Sequence, residues 1–205
     1  MLPGNSQILT CPFCGKEKEI MSLLSGNTFG SILWSDNKQI APMLPEISFV
    51  QKCPHCKKYY IRTRQRGRYA TDSYSFDTGR LSFSEMKEAF VQLSSDGFQS
   101  RDEEASVRMM LHHAYNDNYY RTDESHEVEP GDSELFHENG LWLIENAITD
   151  NLMKAEYYRE IGEMESARSV LDSTSVSDEF QKSIASAIYK KLDKNDCKVF
   201  EITRS

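Results

Sequence analysis

Two short stretches carry the residues with the clearest chemistry: Cys11-Pro12-Phe13-Cys14 and Cys53-Pro54-His55-Cys56. Two cysteines three positions apart can reach one metal from a tight turn, and a second pair completes a tetrahedron of thiolates. Zn2+ takes four such ligands at about 2.3 Å, and four protein ligands leave no open coordination position. The expected ion is therefore a structural zinc held by Cys11, Cys14, Cys53 and Cys56. The proline after each first cysteine fixes its own φ and stiffens the turn. Gly15 permits a positive φ where the chain leaves the first pair; the second pair has Lys57 there. A single Cys-x-x-Cys can also be a redox dithiol, which stands as the alternative. His55 could substitute for a thiolate but is expected to point outward.

No second chemical site stands out. His112-His113, His126-Glu127 and His137-Glu138 are the remaining catalytic candidates, and none forms His-Glu-x-x-His. The acidic residues around 123–134 lack the calcium-loop pattern. No Gly-x-x-x-x-Gly-Lys phosphate loop and no Gly-x-Ser-x-Gly elbow occurs. The expectation is a protein without catalytic residues. Tyr115, Tyr119 and Tyr120 read as core rather than as an exposed patch.

The segment after the second pair is basic: Lys57, Lys58, Arg62, Arg64, Arg66 and Arg68 fall within residues 57–68. The four arginines recur every second position, so on a strand they would line one face. Basic groups interleaved with tyrosines suit single-stranded nucleic acid, with charge for phosphates and rings for bases. Two other readings compete: packing against the acidic part of the chain, or a solvated edge strand whose charges block strand addition.

Composition bounds the rest. The 205 residues are 39% hydrophobic and 27% charged, as in a globular chain with a modest core. No run of eighteen apolar residues occurs, so no membrane-spanning helix and no membrane partner are expected. Met1–Thr10 lacks the pattern of a signal peptide. Four of five cysteines stand in metal spacing, which fits a reducing compartment, so the expected location is the cytoplasm. Cys197 reads as a small buried apolar residue. The net charge of −8 conceals an asymmetry: residues 1–80 hold 11 Lys+Arg against 6 Asp+Glu, and residues 81–205 hold 13 against 26.

The elements that must position these residues change character along the chain. Ile8-Leu9 leads as a strand into the first cysteine pair, and Ser31–Trp34 reads as another strand. Ser35-Asp36-Asn37-Lys38 reads as a turn. Pro42 and Pro45 argue against a helix or central strand at 41–46. Trp34, Ile47 and Phe49 are the expected packing under the metal. Residues 70–80 look like a linker. From Leu81 the period is helical, with capping boxes at Ser82-x-x-Glu85 and Ser100-x-x-Glu103. Helices are expected near 82–96, 100–120, 133–147, 151–161, 163–172 and 178–192, with an extended segment at 197–202.

The two cysteine turns resemble the zinc-ribbon class, in which C-P-x-C turns sit at the tips of β-hairpins. The resemblance covers roughly residues 8–62, with a longer interval between turns than the class usually has. A second resemblance lies at Ala155-x-x-Tyr158-x-x-x-Gly162-x-Met164-x-x-Ala167-x-x-x-Leu171, which is similar to a tetratricopeptide helix pair. It covers one unit, about residues 150–174, and lacks the family's tryptophan and closing proline; a solenoid of such units needs about three. Together the two resemble uncharacterised bacterial proteins of similar size. The expectation is an α+β chain: a zinc-ribbon domain at 1–65, a linker at 66–80, and an α-helical domain at 81–205. The resemblance implies a zinc-stabilised interaction module that presents a helical groove, with Tyr157 and Tyr158, to a protein or peptide. The alternative is a nucleic-acid-binding protein that uses residues 57–68.

Overall fold

The computed structural model describes residues 1–122 and 126–202. Part of the acidic loop expected at 123–132 thus lies outside the described residues. The chain is α+β, with small antiparallel sheets first and helices after them. It forms two compact units: residues 1–31 with 40–100, and residues 32–39 with 101–205. These units cut across the expected boundaries: residues 66–100 go with the first, and an eight-residue piece from between the cysteine pairs goes with the second.

In the first unit, strands β1 (Leu2–Thr10) and β2 (Glu17–Ser25) form an antiparallel hairpin whose last pair is Thr10↔Glu17. Strands β5 (Val50–Lys52) and β6 (Tyr59–Ile61) form a second hairpin, ending at Lys52↔Tyr59. Strand β7 (Arg68–Tyr69) lies along the other edge of β1. The segment expected as a linker is strapped to these sheets. Ser6 donates to Ser73 C=O at 2.8 Å, Met21 to Asp77 C=O at 2.7 Å and Ser48 to Thr78 C=O at 2.8 Å. Gly79 is required there, because it has φ +71° and a Cβ would lie 2.2 Å from the Gln51 side chain.

Helix α1 (Phe83–Asp96) also belongs to this unit. Its capping box is formed as the sequence implies: the Glu85 amide donates to Ser82 Oγ at 3.2 Å, and Glu85 Oε2 accepts from the Ser82 amide at 3.0 Å. Phe83, Met86, Ala89 and Leu93 are its buried face.

The second unit holds β3 (Ile32–Trp34), β4 (Gln39–Ile40, whose last residue returns to the first unit) and β8 (Glu201–Ile202), in the order β4-β3-β8. Its helices are α2 (Arg101–Tyr115), α3 (Asp132–Asn146), α4 (Asn151–Glu160), α5 (Met164–Asp172) and α6 (Glu179–Leu192). Asp150 and Asp178 cap α4 and α6, accepting from the amides of Met153 and Gln181 at 2.9 and 2.8 Å. Gly162, at φ +87°, turns α4 into α5, and the small side chains of Ala155 and Ala167 sit fully buried in the core shared with Leu152, Leu171, Ala185 and Ile188. Gly140 of α3 lets α4's end come close: a Cβ there would meet Ile161 Cγ2 at 2.4 Å.

The end of α2 departs from the expected helix. Residues Asn116–Tyr120 widen into a π turn, closed by the Arg121 amide on Asn116 C=O at 2.5 Å. The turn closes an i→i+5 bond in place of i→i+4, and Asn116 and Arg121 both reach the Asp36 carboxylate.

Candidate metal centre

Both cysteine pairs stand at hairpin tips, and their backbones are alike. In the first, Cys11 N–H donates to Lys16 C=O at 2.9 Å and Gly15 N–H to Cys11 C=O at 3.0 Å. In the second, Cys53 N–H donates to Lys58 C=O at 2.9 Å and Lys57 N–H to Cys53 C=O at 3.0 Å. Gly15 takes φ +70° and Lys57 takes +64°, so the lysine accepts the left-handed conformation that the glycine adopts without strain.

The two tips bring four sulfurs together. Cys11 Sγ lies 3.6 Å from Cys56 Sγ and Cys14 Sγ lies 3.7 Å from Cys53 Sγ, with all four within 4.8 Å of one another. Sulfurs bonded to a tetrahedral zinc at about 2.3 Å would be about 3.8 Å apart, so the set fits. The separations far exceed the S–S bond of about 2.05 Å, and all five cysteines are free thiols. Four cysteines are thus positioned to hold a metal ion, with a donor set compatible with zinc.

Burial pushes the Cys11 thiol up to about 12, against the amides of Phe13 and Cys14 that bond its sulfur. Burial also acts to raise Cys53, but the amides of Cys56 and His55 and the thiols of Cys56 and Cys11 bring it down to about 7. Leu9, Ile20, Tyr60 and half-buried Ile47 pack around Cys11 and Cys53. Trp34 does not belong to that packing. It lies in the second unit, where the Arg121 guanidinium stands 4.7 Å over its ring. Ile47 alone of the three expected packing residues is in the cluster; Leu9 comes from the strand expected at Ile8-Leu9, Ile20 from a strand the sequence did not signal, and Tyr60 from the basic segment.

The arginine row does not form one face. Arg62–Arg64 is a turn of 3-10 helix, and only Arg68 is in a strand, so the alternation is broken. Arg62 reaches Gln7 Oε1 at 3.4 Å, Arg64 donates to Gly97 C=O at 3.2 Å, and Arg68 pairs with Glu17 at 2.9 Å. Arg66 is exposed. Lys57 folds back on Pro54 C=O at 2.7 Å, and the Lys58 ammonium stands 4.7 Å over the Phe13 ring.

Of the two tyrosines expected to face a partner, Tyr157 is fully buried, which removes it from any groove. It stacks on His112 at 4.3 Å, and its hydroxyl donates to Asp36 C=O at 3.3 Å. Tyr158 is half-buried against the α4–α6 core.

Sequence reasoning missed the polar centre of the second unit. Asp36, expected in an ordinary turn, is fully buried. Its carboxylate accepts from Asn116 Nδ2 at 3.0 Å and from Arg121, and its C=O takes a bond from His113 Nε2 at 3.1 Å. Burial would raise its pKa, but facing His113, Arg121 and Asn116 hold it at about 2. Beside it, His112 Nε2 is 2.7 Å from Glu160 Oε2, both without solvent exposure. Burial pushes His112 down to about 3 and pushes Glu160 well above the carboxylate range, reinforced by Glu156 and Asp36, so burial favours the neutral form of each. Only the adjacency of His112-His113 hinted at this centre. Cys197 is half-buried, and burial raises its thiol.

Comparison with known proteins yields no matching family model, no similar curated protein and no similar solved structure.

Proposed function

We propose that the protein is a non-enzymatic, zinc-stabilised module that binds a protein or peptide partner. The observation that carries this reading is the meeting of four sulfurs, two from each hairpin tip, at tetrahedral spacing. Zinc there would have no open position for substrate, so its contribution is to the fold. Each thiol would release its proton on binding, and the metal's binding energy would become folding energy for a small β unit.

The partner-binding part of the reading rests on the second unit. The α4–Gly162–α5 hairpin matches the tetratricopeptide-like pattern in its glycine turn and its two buried alanines. Helix α5 and the end of α6 border an open groove of about 740 Å3 lined by Met164, Glu165, Arg168, Ser169, Asp172, Ser173 and Leu192. Apolar Met164 and Leu192 flanking one cation, Arg168, and two carboxylates, Glu165 and Asp172, suit a short peptide with mixed character.

The experiment has two arms. Metal analysis should find one zinc per chain, and a strong chelator should unfold residues 1–31 and 40–100. A chain that folds equally well without metal removes the first half of the reading. Peptides selected from a random library should lose binding to Arg168→Glu and keep it to Lys16→Glu. Selection that yields no Arg168-dependent peptide removes the groove.

A further inference from the structure

The interval between the cysteine pairs leaves the first unit at Ser31, contributes Ile32–Gln39 to the second, and returns at Ile40. Within the second unit this piece is held at many points. Leu33 and Trp34 pair with Ile202 and Glu201. The Ser35 amide donates to Phe200 C=O at 2.9 Å, and Ser35 Oγ accepts from the Phe200 amide at 3.1 Å. Lys38 pairs with Asp117 at 2.5 Å. Asp36 gathers Asn116, Arg121, His113 and Tyr157 as described.

Seating this piece therefore closes a chain loop that runs through residues 40–100 before the second unit resumes at Arg101. Its cost depends on how much of that loop is flexible. With the first unit folded, Ile47 packs at the metal centre, the Ser48 amide bonds Thr78 C=O and α1 ends at Asp96, so the flexible path is at most residues 40–46 and 97–100. With the first unit unfolded, the whole of 40–100 is flexible, roughly five to six times longer. Closure probability falls as about the 3/2 power of length, which makes the seated state about 13-fold less favoured.

We infer that residues 32–39 are a latch through which zinc occupancy in the first unit sets the integrity of the second. The inference rests on the zinc-stabilised reading above. Loss of the metal releases the first unit, lengthens the loop and loosens the latch, although no latch residue is a metal ligand. By reciprocity, weakening the latch weakens zinc binding.

Hydrogen exchange on the full chain, with zinc and after chelation, tests this. Chelation should expose the Leu9 and Ile20 amides of the first unit and speed exchange at Ser35 and Phe200 about 13-fold. Opening of Leu9 and Ile20 with unchanged exchange at Ser35 and Phe200 overturns the latch alone. Retained protection at Leu9 and Ile20 after metal removal overturns the zinc reading and the latch together. A zinc-loaded variant with a flexible Gly/Ser insertion of roughly 50 residues between Gln99 and Ser100 lengthens the path without touching the metal. It should exchange at Ser35 and Phe200 as the chelated parent does; parent zinc-loaded rates there overturn the latch.

Discussion

The side-chain amide of Gln92 closes on both backbone polar groups of Tyr59. Its Oε1 accepts from the Tyr59 N–H at 3.0 Å, and its Nε2 donates to the Tyr59 C=O at 2.8 Å. Among the described residues, strand β6 pairs on one side only, with β5. Gln92 thus supplies from a helix what a further strand would supply at that edge. Glu88 and Glu85, on the same side of α1, reach the Tyr59 hydroxyl at 2.6 Å and the Lys52 ammonium at 3.0 Å. The helix is fastened to the hairpin that carries Cys53 and Cys56. Gln92→Ala leaves a buried amide and carbonyl unpaired and should cost about 1–3 kcal/mol in urea unfolding of the zinc-loaded protein. Gln92→Glu should cost at least as much near neutral pH, because a carboxylate cannot donate to the Tyr59 carbonyl. It should recover part of the loss in acid, where the carboxyl gains a proton.

The two cysteine turns invite a paired test. Lys57 stands at φ +64° and Gly15 at +70°. A side chain in that region costs roughly 1–2 kcal/mol, and a glycine returns about 0.5–1 kcal/mol of that as unfolded-chain entropy. Lys57→Gly should therefore be stabilising by up to about 1 kcal/mol, despite losing the exposed Lys57–Pro54 bond. Gly15→Ala should be destabilising by a similar amount. Space is not the reason, since nothing lies within 4 Å of a Cβ there. Chemical unfolding with zinc held constant reads both. Equal shifts of the same sign would show that the turns are not equivalent.

The cysteine ligand set was legible because its signal is local: residue type and a spacing of three fix the geometry of one turn. The same holds for the Ser82 capping box. What the sequence concealed is non-local. Trp34 has the strand-like neighbours of a ribbon residue, yet its segment crosses into the second unit, and no local pattern encodes that crossing. Alternating Arg62, Arg64, Arg66 and Arg68 satisfies a strand period, but a 3-10 turn at Arg62–Arg64 resets the faces. Tyr157 and Tyr158 are adjacent, so one helix side had to be chosen for each, and the ring beside His112 is the buried one. Asp36 in a polar turn looked solvated; its burial follows from cations and amides brought from α2 and the π turn.

Asp36 should dominate the acid limb of the second unit's stability. Its folded pKa, about 2, lies below the ordinary value of 3.8. The unfolded chain therefore takes up the proton first as pH falls. The stabilisation is fully present above about pH 4 and is lost as pH drops through about 2. The difference corresponds to something on the order of 2–3 kcal/mol. Asp36→Asn removes that acid-dependent part. Among the described residues it also leaves the nearly buried Arg121 with only Asp117, at 2.7 Å, as an anionic partner, so stability at neutral pH should fall by roughly 3 kcal/mol or more. Thermal unfolding from pH 2 to 7, followed at Trp34, compares the two slopes. Parallel slopes would mean that Asp36 titrates normally in the fold.

Glu160 should act in the opposite sense. Burial, with Glu156 and Asp36 nearby, raises its carboxyl well above 4.5, so the fold keeps a proton that the unfolded chain releases. A group of this kind contributes most below pH 4.5 and loses its contribution as pH rises toward the folded value. His112, held neutral by burial with a pKa of about 3, works from the other side. The unfolded chain protonates below about 6.5 while the fold does not, so stability falls as pH drops through that range. Glu160→Gln keeps a neutral side chain of the same shape, with an amide that can donate to His112 Nε2 in place of the carboxyl proton. It should leave stability near pH 5 within about 1 kcal/mol of the parent and make the variant the more stable protein at pH 8 to 9. Glu160→Ala opens a cavity and unpairs His112 and one bond of Asn116, and should cost about 2–5 kcal/mol across the range. Urea unfolding at pH 5, 7 and 9 separates the cases. If the glutamine variant loses several kcal/mol at every pH, the pair is an ionised carboxylate and imidazolium, and the neutral assignment is wrong.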